Sequence, residues 1–509
     1  MPQQMKGSLP IQELSESIHT DHTIVVTNRG PVEYYLSQDK SLKHRRGSGG
    51  VVTALTGAVQ HSDATWVALA MTEGDRRALQ QAHDGLLPSP LPDQQMQLRY
   101  VAIPKAVYRR YYDMFSNQIL WFLQHYLFNL IEPPLTVEQI QDTWENGYCK
   151  ANQAIADTVC AELDRYQDSS TTIMLNDYHL YLVSAMIRLN RPRASVVMEQ
   201  FIHIPWPEVR YWQSCLPTTI TQAIYTDLLG NDIIGFQTRR DAQNFLEGVA
   251  GVLDDVDIDI DNRTIHRQGR RILVRDYPIS ISVTDERRIV QSAAGKRAAK
   301  HIQPLLKEQN IMRVDRIELT KNIVQGFQAY RLMLEQHPEL HSRITFLAFL
   351  VPSRQTVPIY RRYKDEILKL IEDINQKFGQ EDWKPIHVFV QNDRTQALAA
   401  LQFYDVLLVN PLIDGMNLVA KEGPIVNRRN GVLVLSRTSG AFQQLEAACI
   451  PISPADIGET AEALFQALTL SPEERRQKAD LARQEIETND LKTWAFQRVR
   501  DINYVLEQR

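Results

Sequence analysis

Short runs rich in Val, Ile and Leu recur along the chain, each followed by a stretch whose apolar positions repeat at helical spacing. The clearest runs are Thr23–Val26, Thr172–Leu175, Ser195–Phe201, Asp232–Phe236, Ile272–Arg275, Ile311–Val314, Ile344–Val351, His387–Val390, Asp405–Val409 and Gly431–Leu435. Between them lie amphipathic stretches such as Lys321–His337 and Tyr360–Phe378. Continuous apolar strands alternating with helices predict parallel sheets covered on both faces. The runs are too many for one doubly wound sheet of ordinary size, so the pattern predicts two α/β domains.

Length agrees, because 509 residues exceed a single core. The boundary is expected near 275–288, where a strand ends by Pro278 and a charged helical segment begins. This gives an N-terminal domain over 21–280 and a C-terminal domain over 281–509, with the last helix free to pack back on the first. Residues 1–20 carry no strong pattern and are expected to be disordered. Pro31–Gly50 and the Pro-rich Gly85–Gln97 read as loops or insertions.

Charge changes the picture mainly by exclusion. The chain has 56 basic and 61 acidic residues, a net of −5, so no global field draws it to nucleic acid or an anionic membrane. Tyr, Arg and Trp interleave over Tyr108–Tyr126, but Phe115, Leu120, Trp121 and Leu123 have the spacing of a helix buried on one side. Cys149, Cys160, Cys215 and Cys449 form no CxxC pair and have no histidine at zinc spacing. They read as buried thiols in a reducing compartment, with no metal site. The N-terminus lacks the apolar core of a secretory signal, and the longest apolar stretches are of strand length. A cytoplasmic protein is expected.

Ligands of open α/β sheets bind beyond the carboxyl ends of the strands. After Val26 come Asn28 and Arg29; after Leu175, Asp177; after Phe201, His203. After Val314 come Arg316 and Lys321; after Val351, Arg354; after Val409, Asp414. Singly, each has a plain alternative: a solvated arginine, an Asx turn or helix cap, a core histidine. Together, Arg29, Arg316, Lys321 and Arg354 suggest phosphate handling. Gly49 and Gly50, in the Gly-rich turn of 45–55, offer backbone amides to an anion, although a flexible basic loop reads equally from that stretch alone. No GxxxxGK[ST] is present, and no GxGxxG stands in a dinucleotide-binding context.

In this order, TNRGP, GSGGVVTAL, YYDMFSNQILW, LNDYHL, FIHIPWP, RIELTK, VPSR and DGMNLVAKE resemble the retaining glycosyltransferases that include trehalose-6-phosphate synthase. The resemblance implies the GT-B architecture, two Rossmann-like domains facing across a cleft, with no obligatory metal and no cofactor besides the nucleotide-sugar substrate. It further implies that Arg316 and Lys321 contact the donor diphosphate and that Glu422 holds the ribose hydroxyls. Asp414 and the backbone of Gly415, Met416, Asn417 and Leu418 would grip the transferred glucose, with His203 near the anomeric centre. Gly50 would contact the donor at the wall of the acceptor pocket. Arg29, Tyr112, Trp121, Asp177 and Arg354 would bind the acceptor, the two arginines through its phosphate.

Against the trehalose pattern the chain has ELTK for DYSK, IDGMN for RDGMN, PSR for TSR, and WVALA (66–70) for WxGW. Within the family these changes resemble the cyanobacterial glucosylglycerol-phosphate synthases. That implies ADP-glucose as donor and glycerol 3-phosphate as acceptor, compatible-solute synthesis under osmotic stress, and a downstream phosphatase. Trehalose 6-phosphate synthesis from UDP-glucose and glucose 6-phosphate is the alternative, followed by a non-catalytic nucleotide-sugar-binding module.

Overall fold

Each of the ten apolar runs forms a strand in the computed structural model, which describes residues 18–47, 64–91, 96–166, 169–354 and 357–509. The chain divides into two units. Unit 1 extends to Tyr277 and resumes from Ala495 to Arg509; unit 2 is Pro278–Trp494. Residues 1–17, most of the expected disordered segment, lie outside the described residues, as do Gly49 and Gly50.

Unit 1 contains β1 (His22–Thr27), the hairpin β2 (Val32–Leu36) and β3 (Leu42–Arg46), β4 (Ala64–Leu69), β5 (Leu87–Pro88), β6 (Gln97–Val101), β7 (Thr171–Asn176), β8 (Val196–Phe201), β9 (Ile233–Phe236), β10 (Asp257–Asp259), β11 (Thr264–Arg267) and β12 (Arg270–Asp276). Among the described residues its sheet has the order β10-β11-β12-β9-β8-β7-β1-β4-β6-β5. The strands from β12 to β6 are parallel, and β5, β10 and β11 join antiparallel at the edges. β1, β4, β7 and β8 are buried along their whole length, which is why they read as continuous apolar runs.

The structure corrects two readings of this half. The stretch from Pro31, expected to be a loop, is the β2–β3 hairpin, closed where the Ser37 and Ser41 hydroxyls meet Asp39. The stretch from Tyr108 is helical, but of π form over Arg109–Leu120, and it buries Tyr111, Phe115, Ile119 and Leu120. The wider turn of a π-helix brings residues four and five apart onto one face, a period that ordinary helical spacing does not predict. The thiols also differ from expectation: Cys160 and Cys449 are buried, whereas Cys149 and Cys215 are half-buried, and all four are free.

Unit 2 holds β13 (Gln309–Arg316), β14 (Ile344–Val351), β15 (Ile386–Val390), β16 (Val406–Val409), β17 (Val432–Ser436) and β18 (Cys449–Ile452). They form a wholly parallel sheet in the order β15-β14-β13-β16-β17-β18. The helices Ile323–Gln336, Pro358–Phe378 and Ile457–Thr469 bury Phe327, Ile367 and Leu464 with Phe346, Leu408 and Val434 of the strands. Among the described residues, no helix is long and apolar enough to cross a membrane.

Each sheet has a point where successive strands depart in opposite directions: β1 and β7 in unit 1, β13 and β16 in unit 2. Loops leaving such neighbours part from each other and open a crevice at the strand ends.

The last helix, Leu491–Glu507, closes unit 1 through charge. Arg498 makes two hydrogen bonds of 2.7 Å to Glu199 of β8, and both side chains are fully buried. The guanidinium also lies 4.9 Å from the Phe201 ring centroid. Asp501 accepts from the Tyr277 hydroxyl at 2.8 Å. A buried charge left without its partner is strongly destabilising, whereas replacing the whole pair by apolar side chains is tolerated. Arg498→Ala should therefore destabilise unit 1 by roughly 3–5 kcal/mol, and Glu199→Leu with Arg498→Met should recover most of that. Hydrogen exchange of the β8 amides in the three proteins measures both effects.

Candidate functional site

In unit 2, strand register builds the first cluster. Arg316 ends β13 directly opposite Val351, the end of β14, so the segments that follow rise side by side. Glu318, on the first of them, is fully buried. Its carboxylate accepts from the Ser353 hydroxyl at 2.9 Å, pairs with Arg316 at 2.6 Å and stands 3.6 Å from Arg354. Burial alone would raise this carboxyl, but the charges of Arg316, Arg354 and Lys321 outweigh it and hold it down to about 2. Arg354 also donates to the Tyr360 hydroxyl at 2.8 Å and lies over that ring.

Across the switch point, the loop after β16 supplies Asp414. Lys321 Nζ is ion-paired with Asp414 Oδ2, which also accepts from Asn417 Nδ2 at 3.1 Å. The Asp414 turn is held by its neighbour: Gly440 N donates to Asp414 O at 3.0 Å, and a Cβ on Gly440 would stand 1.8 Å from Gly415 O. Beneath Lys321, the fully buried Arg313 binds Asp315 at 2.8 Å and donates to Lys321 O at 3.1 Å. Asn322 (φ 54°), Arg354 (φ 43°) and Asn417 (φ 77°) all take left-handed backbone. Non-glycine residues adopt that conformation at a cost, and such strain gathers at ligand sites.

Glu422 lies on the helix Val419–Val426. Arg394, which opens the helix Arg394–Ala400, reaches it at 3.3 Å and reaches Glu286 of the helix Val283–Gln291 at 2.5 Å. Burial raises the Glu422 carboxyl, against the pull of Arg394. Lys421 faces elsewhere: its buried ammonium donates to Ile279 O and Gln444 Oε1, both at 2.7 Å, and burial pushes it down to about 7.

In unit 1, Asp177 follows β7 with φ 76°, and its Oδ1 accepts from His203 N at 3.3 Å. The two meet because Asn176 and Phe201, at the ends of β7 and β8, are register partners. The His203 ring packs edge-on to Phe201 with centroids 4.5 Å apart, and its Nδ1 lies 3.4 Å from Gln237 Nε2. His203 Nε2 is buried and finds no hydrogen-bond partner among the described residues. Burial, aided by the charge of Arg498, pushes the imidazole down to about 3, so it is neutral at physiological pH. It can hydrogen-bond a ligand but brings no charge.

Arg29 is exposed beyond β1, and its backbone is fixed by Thr27 Oγ1, which donates to Arg29 O at 2.7 Å. Trp66, first residue of the WVALA stretch, donates to that same hydroxyl at 2.7 Å. Tyr112 stacks on His179 at 5.7 Å, and the buried Trp121 stacks on His125 at 4.0 Å. Tyr111 donates to Asn28 Oδ1 at 3.0 Å, which ties the π-helix to the end of β1.

The structure thus gathers Arg316, Lys321, Arg354 and Asp414 at one switch point and Asp177 with His203 at the other. Glu422 stands in a separate cluster within unit 2, and Gly50 lies outside the described residues. Sequence reasoning missed Glu318, Arg313, Glu286, Arg394 and Arg498. Glu318 lies inside RIELTK and was visible there, whereas the others emerge only from packing. Among the described residues, no group of three or more His, Cys, Asp or Glu could hold a metal.

Two Rossmann-like units with polar and charged groups beyond their strand ends fit the GT-B class of glycosyltransferases. The chain belongs to glycosyltransferase family 20, whose model it matches over residues 21–504. It is 28% identical over 486 residues to the trehalose-6-phosphate synthase of Klebsiella pneumoniae, covering 95% of each chain. It is 29% identical to the bifunctional trehalose-6-phosphate synthase/phosphatase of Thermoproteus tenax, of which it spans 62%. Its fold matches the E. coli trehalose-6-phosphate protein bound with UDP-2-fluoro glucose, with a TM-score of 0.80 and 27% identity over 94% of this chain and 98% of that one. It also matches the α,α-trehalose 6-phosphate synthase of Burkholderia multivorans, with a TM-score of 0.82 and 25% identity over 96% and 99%.

The Glu318 cluster makes a pH prediction. Its folded carboxyl titrates at about 2, against 4.5 for an ordinary glutamate, so its contribution is complete above 4.5 and is lost as pH falls toward 2. The contribution is roughly 3 kcal/mol at neutral pH. Glu318→Gln should lower stability at pH 7 by that order, and the gap to wild type should close by about pH 2–3. Urea titrations of both proteins across this range test it.

Proposed function

We propose that the protein transfers glucose, with retention, from UDP-glucose to glucose 6-phosphate, giving trehalose 6-phosphate. The observation that carries the reading is the Lys321–Asp414 pair at the unit 2 switch point, next to the Glu318-held arginines. Similarity across nearly the whole of a trehalose-6-phosphate synthase, and to a fold that holds a UDP-sugar analogue, supports this substrate pair over ADP-glucose and glycerol 3-phosphate. The glycerol 3-phosphate reading rests on the four departures ELTK, IDGMN (with Ile413), PSR and WVALA. Within WVALA, Trp66 is common to the trehalose pattern, and the residues that depart from it, Ala68 and Leu69, are buried in β4.

In this reading the donor diphosphate takes Lys321 from Asp414, and the released carboxylate, with the backbone of Gly415, Met416, Asn417 and Leu418, accepts the hydroxyls of the glucose. Glu422 accepts the ribose hydroxyls. As the anomeric bond breaks, negative charge grows on the leaving diphosphate, and Arg316 and Lys321 stabilise it more in the transition state than in the ground state. The leaving phosphate oxygen accepts the proton of the attacking hydroxyl. His203, neutral and with Nε2 available, hydrogen-bonds the sugar, and Asp177 orients an acceptor hydroxyl. Arg29 and Arg354 bind the acceptor phosphate, with Tyr112 and Trp121 beside it. A phosphatase acting on the product is the partner this reaction calls for.

Purified protein offered both donors and both acceptors should couple UDP-glucose to glucose 6-phosphate. A preference for ADP-glucose with glycerol 3-phosphate would establish the other synthase, and no transfer with any pair would establish a binding module. Arg316→Ala and Lys321→Ala should each lower kcat by about 100-fold or more, measured well below their melting temperatures, which should fall because Glu318 and Asp414 each lose a partner while the circular dichroism stays near wild type. Near-normal turnover in either would refute the diphosphate assignment.

A further inference from the structure

Unit 2 brings a second acid to Glu422 that the reaction above does not use. Glu286 is 4% exposed; one of its oxygens binds Arg394 at 2.5 Å and the other has no hydrogen-bond partner among the described residues. Arg394 is 3.3 Å from Glu422, so one guanidinium serves the buried Glu286 and the half-buried Glu422 and sits closer to the one without a proposed ligand. Two ionised carboxylates around a single cation leave one negative charge uncompensated, and because Glu286 is shut off from water such a pair tends to keep one proton between its members.

The surroundings favour Glu286 as the proton's place. Its burial and then the charge of Glu422 push it up to about 7, opposed by Arg394 and reinforced by Asp285 of the same helix. From the helix Val419–Val426, Lys421 is engaged with Ile279 O and Gln444. From the helix Ala293–Ile302, no charged group pairs with Glu286 among the described residues.

We propose that Glu286 is a positioning residue that holds Arg394 beside Glu422 and takes up one proton when a nucleoside diphosphate sugar binds there. The inference rests on the donor role of Glu422. A ribose over Glu422 displaces water from the pair, and the donor brings negative charge of its own, so both effects disfavour two ionised carboxylates. Protonation of Glu286 from solvent leaves a single charge on Glu422, with Arg394 as its counter-charge, to accept the ribose hydroxyls. Because the bound state holds more protons, affinity is highest below the free protein's titration near 7 and falls as pH rises through it.

The test is calorimetric titration of the whole chain with UDP-glucose, without acceptor, from about pH 6 to about pH 8.5 in two buffers of different ionisation enthalpy. UDP-glucose has no group of its own that titrates in this range. Wild type should take up a fraction of a proton near pH 7 and lose roughly tenfold in affinity across the range. Glu286→Gln should take up none and keep at the highest pH the affinity wild type shows at the lowest. Proton uptake equal to wild type in that variant overturns the proposal, as does weaker binding at every pH with an unchanged melting temperature. Arg394→Met gives an independent reading. With the counter-charge gone, the fall in affinity should move up by about one pH unit or more, and an unmoved profile overturns the proposal. Glu422→Ala separates the two levels. If it still binds UDP-glucose as wild type does, the donor role of Glu422 fails first. If it loses binding while wild type binds with no pH dependence, only the Glu286 proposal fails.

Discussion

Arg316, Arg354 and Lys321 stand close together at the strand ends of unit 2 because a buried carboxylate, Glu318, lies among them. Three cations this near one another would repel and splay into solvent, where each would be hydrated and mobile. A central anion fixed by Ser353 turns the repulsion into a net attraction and sets their spacing before any ligand arrives. Preorganisation of this kind is what lets charges act on a transition state without reorganising during the reaction. The β13–β14 register is the precondition, since it sets the end of β13 opposite the end of β14 and so brings the segment that carries Glu318 beside Ser353 and Arg354.

The two units solve the same problem with different chemistry. Unit 2 meets its switch point with ionised groups paired to each other, Lys321 with Asp414 and Glu318 with the arginines. Unit 1 meets its own with one acid, Asp177, and a neutral imidazole. Both place non-glycine residues in left-handed backbone at the strand ends, Asp177 in one and Asn322, Arg354 and Asn417 in the other. Asn and Asp accept that conformation readily, because their short side chains hydrogen-bond nearby backbone. Arg354 has no such help, and its position depends on Glu318 and Tyr360.

Legibility followed burial. Strands buried on both faces announce themselves as apolar runs, so the ten clearest were read directly, along with the polar residues at their ends. The β2–β3 hairpin was hidden because β3 is Leu-Lys-His-Arg-Arg, nearly all exposed, and offers no apolar face to recognise. β4 was read only as a motif, although its full burial makes it one of the central strands. The π-helix was hidden by its period. Partners distant in sequence were hidden for a different reason. Nothing near Glu422 points to Glu286, and nothing near Glu199 points to Arg498, because the first pair exists only once three helices pack together and the second only once a helix packs on a sheet. The departures within WVALA, which sequence comparison weighed as specificity determinants, look different in three dimensions, where Ala68 and Leu69 are buried along β4.

The pairing of Glu199 with Arg498 also bears on the order in which the molecule is made. A ribosome delivers β8 almost three hundred residues before it delivers Arg498, yet β8 lies in the middle of its sheet. Until the final helix emerges, the nascent first unit carries an unmatched carboxylate inside its core, a state that resists closure. Domains completed early in synthesis usually fold first. Here every residue of the second unit precedes Arg498 in the chain, so the helix that completes the core of the first unit is delivered after the second unit.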